Sequence, residues 1–289
     1  MGVATDMSSR EPGTEGKYVV RFSRLNRTLH ILMITSFISL ALTGLTLKFS
    51  YTGWAVVLSR LLGGFETAGY IHRVAAVLMF GVFITHILDL VRLKRKDYRT
   101  WRKFLTGPDT MLPTGRDVRE FIGSIKWFLG LGKRPDFGRW TYWEKFDYFA
   151  VFWGVTIIGS TGLMLWFSEL FTLVIPGWVI NVATIIHSDE ALLAAGFIFT
   201  VHFFNTHLRP EKFPMDVVIF TGYTTLEEFK EDRPDEYHRV LKSGTLGDYF
   251  VQPYQPIVIR VIRFFAWTAL ALGFSMVVWI IYAMIFVYQ

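Results

Sequence analysis

Five apolar stretches divide the chain, each bounded by polar or charged residues: Thr28 to Phe49, Tyr70 to Val91, Phe146 to Phe167, Thr184 to Leu208, and Ile259 to Tyr288. A soluble domain would show apolar residues in half-polar stripes; here they come in blocks. About 20 helical residues cross the roughly 30 Å hydrocarbon core of a bilayer. Each block reaches that length, so the pattern predicts an all-α membrane protein, a bundle of five transmembrane helices. The apolar run Trp178–Ile186 predicts either an earlier start for the fourth helix or a short interfacial helix ahead of it.

The polar connections are short or charged. Between the second and third stretches, Arg92–Lys145 is long and basic: Leu112-Pro113-Thr114-Gly115 reads as a turn, and Val118 to Leu131 as an amphipathic helix lying on the membrane. Between the fourth and fifth, Thr225-Leu226-Glu227-Glu228 is a capping-box pattern that opens a short charged helix, broken by Pro234. No glycine-rich phosphate loop, nucleophile motif, low-complexity tract or internal repeat is legible.

Composition agrees with the pattern. At 52% hydrophobic and 17% aromatic residues, with mean hydropathy +0.36, the chain reads as one membrane bundle rather than several soluble domains. Charge adds orientation. Of the 30 Lys and Arg residues, 27 fall in the N-terminal segment, the second-to-third connection and the fourth-to-fifth connection, including Arg260 and Arg263 at the mouth of the fifth stretch. The opposite side holds only Lys48, Arg60 and Arg73. The positive-inside rule predicts a multi-pass protein of the inner (cytoplasmic) membrane, N-terminus cytoplasmic and C-terminus extracytoplasmic. The net charge of +6 is then a topology signal, and nucleic acid is not expected as a partner. Residues 1–18 are polar and lack an apolar core, so the first span is expected to act as its own insertion signal. The chain has no cysteine, which excludes a covalently attached c-type haem, a cysteine-ligated iron–sulfur cluster and a thiolate zinc site. Any redox centre must rest on His, Met or carboxylate ligands.

Of seven histidines, only His238 lies well away from a span. His30 opens the first, His72 the second and His187 the fourth; His86, His202 and His207 lie toward the far ends of the second and fourth. Ionisable residues inside a bilayer are costly and usually functional. A single one reads as an interfacial histidine bonded to a carbonyl; six sorted by depth do not. His72 and His86 are 14 residues apart, roughly 21 Å along a helix and about 40° apart in rotation. His187 and His202 are 15 apart, roughly 22 Å and about 60°. His72 and His187 thus share the outer layer, and His30, His86, His202 and His207 the inner. Two histidines at one depth on neighbouring helices can supply both axial imidazoles of a low-spin haem, so two b-type haems are expected. Gly44, Gly81, Gly154, Gly159, Gly162 and Gly196 would let a flat macrocycle approach the backbone, or simply let helices pack. A zinc or copper site is weaker, because no carboxylate or thiolate is interleaved at ligand spacing.

Several of these residues fall into a recognisable order: Arg21-Phe22-Ser23-Arg24, Arg27 and His30, then Leu42-Thr43-Gly44-Leu45; His72 heading the second span; Arg139-Trp140-Thr141-Tyr142-Trp143-Glu144-Lys145 before the third, and Thr161-Gly162-Leu163 within it. Over residues 17–210 the chain resembles the di-haem cytochrome b subunits of respiratory formate dehydrogenases and nickel–iron hydrogenases. The resemblance implies a four-helix haem-binding core over 1–210, a cytoplasmic connection over 211–256 and an added fifth helix over 257–289. It implies that His72 and His187 ligate the outer haem, and His30 and His202 the inner. Arg24, Arg27 and Arg73 become candidates to pair with haem propionates. A quinone, menaquinone or ubiquinone, would bind beside the inner haem, with Thr141, Glu144, Lys145, Asp147, Asn205 and His207 as candidates; Glu144 or Asp147 would relay protons.

Three features depart from that family. The spacing in the fourth helix is one residue longer than the usual 14. A fifth helix follows. His86 offers an alternative to His30, as in the two-helix, four-histidine cytochrome b of bc complexes. A third haem on His86 and His207 is disfavoured, because His202 and His207 stand about 140° apart on an ideal helix. The expected function is electron transfer between an extracytoplasmic iron–sulfur or multihaem cytochrome c subunit and the quinone pool near the cytoplasmic face, within a multi-subunit complex. Two alternatives remain: a quinol-oxidising reductase subunit passing electrons outward to a multihaem cytochrome or metal, and a haem-free anchor or transporter, against which the lack of inverted repeats counts.

Overall fold

The apolar blocks fold as helices, and in each case the helix begins before the block that predicts it. The computed structural model describes residues 16–213 and 215–286; expectations for residues 1–15 and for the last residues of the fifth stretch lie outside the described residues. A strand, β1 (Tyr18–Val20), leads into α1 (Arg24–Lys48), and α2 (Gly53–Leu61) occupies the loop before α3 (Phe65–Asp97). Two short helices, α4 (Trp101–Thr106) and α5 (Gly115–Phe128), precede α6 (Tyr142–Trp166). A single turn, α7 (Ser168–Phe171), is followed by α8 (Trp178–Leu208). Then come α9 (Val218–Thr221), β2 (Tyr223–Thr225), α10 (Leu226–Asp232), α11 (Pro234–Lys242), β3 (Phe250–Val251) and α12 (Pro256–Phe286). The long helices α1, α3, α6, α8 and α12 are each long and apolar enough to cross a membrane, and the chain is an all-α, multi-pass membrane bundle.

The overruns have a physical cause. Hydropathy sees only the lipid-facing part of a helix, whereas backbone hydrogen bonding continues until a cap or a breaker stops it. α3 has 33 residues, about 50 Å at 1.5 Å per residue, and ends only beyond Lys94-Arg95-Lys96. α8 starts at Trp178, so the apolar run before His187 is the first part of the span and not a separate helix. The expected capping box Thr225–Glu228 forms on α10; Thr141–Glu144 forms another on α6, and Ser23 and Thr52 accept from backbone amides at the heads of α1 and α2. Pro234 ends α10 by serving as the first residue of α11, where its missing N–H costs nothing.

The bundle is two helical hairpins and a fifth helix. α1 packs along α3, and α6 along α8, while contacts between the two pairs are sparse. α12 packs on α1 and α8; Gly273 admits the rings of Phe199 and Phe203, either of which a Cβ there would meet at 2.6 Å.

The three basic segments meet at one end as a folded cap. β1 sits between β2 and β3, antiparallel to both, with Tyr18 opposite Thr225 and Val251. The residue-211-to-256 connection therefore packs with the N-terminal strand. Ion pairs tie the segments together: buried Glu236 bridges Arg21 and Arg139, Arg233 pairs with Glu144 at 2.8 Å, and Lys145 with Asp117 at 2.9 Å. Arg21 and Arg139 also donate to each other's carbonyls. Burial outweighs the Glu236 carboxylate and lowers the Arg21 guanidinium to about 10. α5 turns Asp117 and Glu120 inward and leaves Val118, Phe121, Ile122 and Ile125 exposed, the face a bilayer surface would cover.

Candidate functional site

Because the two hairpins touch so little, they enclose space. A cavity of about 1970 Å³ runs between them, well above the roughly 300–1,000 Å³ of an ordinary small-molecule site. His72 and His187 line one end, His30, His86, His202 and His207 the other. All six intramembrane histidines therefore face one continuous space.

At the outer end, the two hairpins use the same device. His72 of α3 lies over Gly44 of α1, and His187 of α8 over Gly162 of α6; a Cβ would meet the imidazole Cε1 at 3.4 Å and 2.9 Å respectively. In each case the residue before the glycine is a threonine aimed at the ring: Thr43 Oγ1 is 2.9 Å from His72 Nδ1, and Thr161 Oγ1 is 3.4 Å from His187 Nδ1. Each threonine hydroxyl donates its own proton to the carbonyl four residues back, Ser39 at 2.6 Å and Ile157 at 2.7 Å. It can then only accept from the ring, so Nδ1 carries the hydrogen; His187 Nδ1 also donates to the Ile158 carbonyl at 2.9 Å. The other nitrogen, Nε2, keeps its lone pair, the tautomer a metal-ligating histidine adopts. Thr-Gly-Leu stands in the sequence at both places, and the fold shows that both copies seat a histidine of the partner helix. Gly44 and Gly162 admit imidazole rings, a tighter requirement than room for a macrocycle, whereas Gly81 and Gly196 would admit a Cβ freely.

The spacing of this pair tests whether an iron fits between. The ring centroids of His72 and His187 are 6.2 Å apart, with planes at 73°. A metal–imidazole bond of about 2.0 Å, plus roughly 1.1 Å from nitrogen to ring centre on each side, puts two axial ligands about 6.2 Å apart. The donor set, the tautomers and the spacing all fit an axial pair on one iron. Among the described residues, no group of three or more His, Asp and Glu is placed to hold a metal ion.

The inner end is organised by α6, whose adjacent residues Asp147 and Tyr148 reach histidines on two different helices. Asp147 Oδ2 is 2.9 Å from His202 Nδ1, and Tyr148 hydroxyl 2.8 Å from His86 Nε2. Asp147 thus orients a histidine. The ionisable side chains acting on His30 are His202 and His207, whereas His86 has Asp89 as its charged neighbour and Tyr148 and Phe152 against its ring. His30 and His202 share the inner chamber; His86 and His207 are not brought together.

The fourth helix accounts for its own irregular spacing. From Ile198 it winds as π-helix, over Ile198–His202 and again over Phe204–Leu208: the Phe203 amide bonds the Ile198 carbonyl, and the Arg209 amide the Phe204 carbonyl at 3.1 Å. Bonds from i to i+5 place one additional residue in a turn. The extra residue between His187 and His202 is absorbed there, and the 140° expected between His202 and His207 does not apply. Residues five apart stand nearly one above the other, which is why His207 turns toward His202 and His30.

Other expected site residues are distributed unevenly. Arg73 lines the outer end, its guanidinium over Tyr70 and Trp166. Arg27 is committed elsewhere, donating to the Phe220 carbonyl at 2.8 Å and to Tyr254 hydroxyl at 2.9 Å, and neither it nor Arg24 lines the cavity. Gly222, at φ +86°, leaves room for that Arg27 side chain, which a Cβ would meet at 2.7 Å. Asn205, Asp147, His207 and Glu144 line the inner end. Thr141 and Lys145 do not: one caps α6, the other is spent on Asp117. Arg209, stacked on Trp143 at 4.7 Å, and the cluster around Lys212 also line that end and were not foreseen. Both follow α8, where the apolar block stops and gives no periodic signal.

No family model matches the chain, and neither does any curated protein sequence.

Proposed function

We propose that this protein is the membrane electron-transfer subunit of a quinone-linked oxidoreductase, built on two b-type haems and akin to the di-haem cytochrome b subunits of formate dehydrogenases and nickel–iron hydrogenases. The observation that carries the proposal is the His72–His187 pair, 6.2 Å apart across a cavity, each ring with its Nδ1 engaged. His72 and His187 would hold the outer haem, and His30 and His202 the inner one. Thr43, the Ile158 carbonyl and Asp147 fix the ligand rings and tune their basicity. Bound haem iron supplies one-electron redox chemistry at two depths. Around it the hairpins exclude lipid and water, and Gly44 and Gly162 hold the ligand rings against their partner helices. A quinone binds at the cap end, beside Asn205 and His207.

On this reading the basic cap lies in the cytoplasm, and the short loops opposite meet an extracytoplasmic subunit carrying iron–sulfur clusters or c-type haems, which a chain without cysteine cannot hold itself. Each charge carried across the membrane is worth about 2.3 kcal/mol per 100 mV.

The test is the visible spectrum of the purified chain with a haem assay. Two non-covalent haems per chain are expected, one lost in His72→Ala and in His187→Ala. A preparation without a Soret band, or full haem content in both variants, overturns the proposal.

A further inference from the structure

Where α8 ends, the cavity meets a group of charged side chains that the axial ligands do not use. Lys212 Nζ lies 2.7 Å from Asp232 Oδ2, 3.4 Å from Glu228 Oε1 and 3.7 Å from Asp216 Oδ2. All four residues line the cavity. Exposure within the group differs: Glu228 keeps 45% of its side-chain surface, Asp216 24%, Asp232 22% and Lys212 9%. Glu228 is held by the Thr224 hydroxyl at 2.6 Å and sits on the cap surface as part of the α10 capping box. His207, buried, packs against the backbone of Asp216, and its Nδ1 has no hydrogen-bond partner. A single ammonium therefore joins a surface carboxylate to one at the inner end of the cavity, next to an imidazole with a nitrogen to spare.

We infer that Glu228, Asp232, Lys212 and Asp216 form the proton route between cytoplasmic water and the quinone-binding end of the cavity, with Asp216 as the proton-transfer residue. The inference rests on the quinone-linked reading. Reduction of a quinone to quinol takes two electrons and two protons. The electrons arrive one at a time through the chain's redox centres. Each proton passes from the Asp216 carboxyl to a quinone oxygen, and the carboxylate left behind regains one from water by way of Glu228 and Asp232. No other oxidant or reductant is required.

The electrostatics agree with that order. Burial raises the Asp216 carboxyl above the ordinary carboxylate range, against the pull of Lys212. Burial also works to raise Asp232, but Lys212, Arg233 and Arg134 outweigh it and hold the group low. Lys212 itself stays charged, because the three carboxylates outweigh its burial. Two acids on one lysine thus differ in proton affinity, with the higher on Asp216, beside His207.

The experiment uses the purified full chain, reduced anaerobically and mixed with decylubiquinone in a stopped flow. Asp216→Asn is expected to slow haem oxidation by the quinone at least tenfold, with the haem spectrum intact and oxidation by ferricyanide, which takes no proton, unchanged. Asp216→Glu should restore most of the rate, and Glu228→Gln should slow it to a smaller degree. Infrared spectra provide a readout independent of turnover: a carboxyl band that titrates at higher pH than an ordinary aspartate and is missing in Asp216→Asn. An unchanged quinone rate in Asp216→Asn and Glu228→Gln, or equal slowing with ferricyanide, overturns the inference while leaving the haem assignment standing. A chain that binds no haem removes both. If Asp216→Asn does not accumulate, Glu228→Gln decides alone, and a wild-type quinone rate overturns the route.

Discussion

The Thr43 hydroxyl stands 2.9 Å from His72 Nδ1 while donating its own hydrogen to the Ser39 carbonyl at 2.6 Å. Two hydrogen bonds at one oxygen settle which imidazole nitrogen is left for another purpose. Thr43→Val keeps the shape and removes the acceptor. The expected outcome is unchanged haem content with a shifted midpoint potential of the outer haem, measured by redox titration; a hydroxyl that accepts from the ligand's far nitrogen tunes the ligand rather than creates it.

Gly162→Ala acts on the ring directly. Its methyl group would stand 2.9 Å from His187 Cε1, a distance real contacts do not sustain, so the histidine must move. Loss of the outer haem is expected, as in His187→Ala. Gly81→Ala, which meets nothing within 4 Å, should keep both haems and serves as the control.

His30→Ala and His86→Ala separate the two arrangements left open at the inner end. His86 already has a partner in Tyr148 at 2.8 Å, and His30 has His202 and His207 as its ionisable neighbours. His30→Ala is expected to leave one haem per chain, and His86→Ala two. One haem in His86→Ala and two in His30→Ala would assign the inner ligand to α3 instead.

Glu236 answers two buried or half-buried arginines at once. Glu236→Gln leaves Arg21 without a countercharge in a site where it is 6% exposed. Breaking a buried ion pair from one side costs about 3–5 kcal/mol. A markedly lower unfolding temperature of the cap is expected, followed by hydrogen exchange at β1 and α11. The double variant Arg21→Met with Glu236→Leu should recover part of it.

Acid should loosen the cap through Asp117. Burial works to raise this carboxyl, but Lys145 and the hydroxyl and amide of Thr114 outweigh it and hold it below its ordinary value of 3.8. A carboxyl lowered by folding contributes stability that is present above the ordinary value and lost as pH falls through the lowered one. Exchange protection of the α5 amides should therefore persist down to about pH 4 and fall below it. Asp117→Asn should be less protected at neutral pH and show little further loss in acid.

The membrane bundle was legible because lipid demands long, continuous apolar helices, and nothing else in a chain looks like that. Cap residues were legible for a similar reason: Thr141-x-x-Glu144 and Thr225-x-x-Glu228 satisfy backbone amides locally. The three-stranded sheet was not, since each strand has two or three residues and its partners lie far away in sequence. The depth of the histidines could be read, but their facing could not. An ideal α-helix assigns His207 to the wrong side, because nothing in Phe199-Thr200-Val201 announces a π turn. Arg27 and Lys145 were named from the resemblance, and a matching motif does not tell a ligand-facing cation from one committed to a carbonyl or carboxylate.

The sheet also sets a clock. β1 is made near the start of synthesis, but its neighbours are β2 and β3, about two hundred residues later. At about 5–20 residues per second, the first strand waits roughly 10–40 s for a partner to emerge. All four helices of the paired hairpins have been made by then, while the cap end of the space between them is still open. A large flat guest can enter from the cap side in that interval, and translation of the last fifth of the chain closes the door behind it.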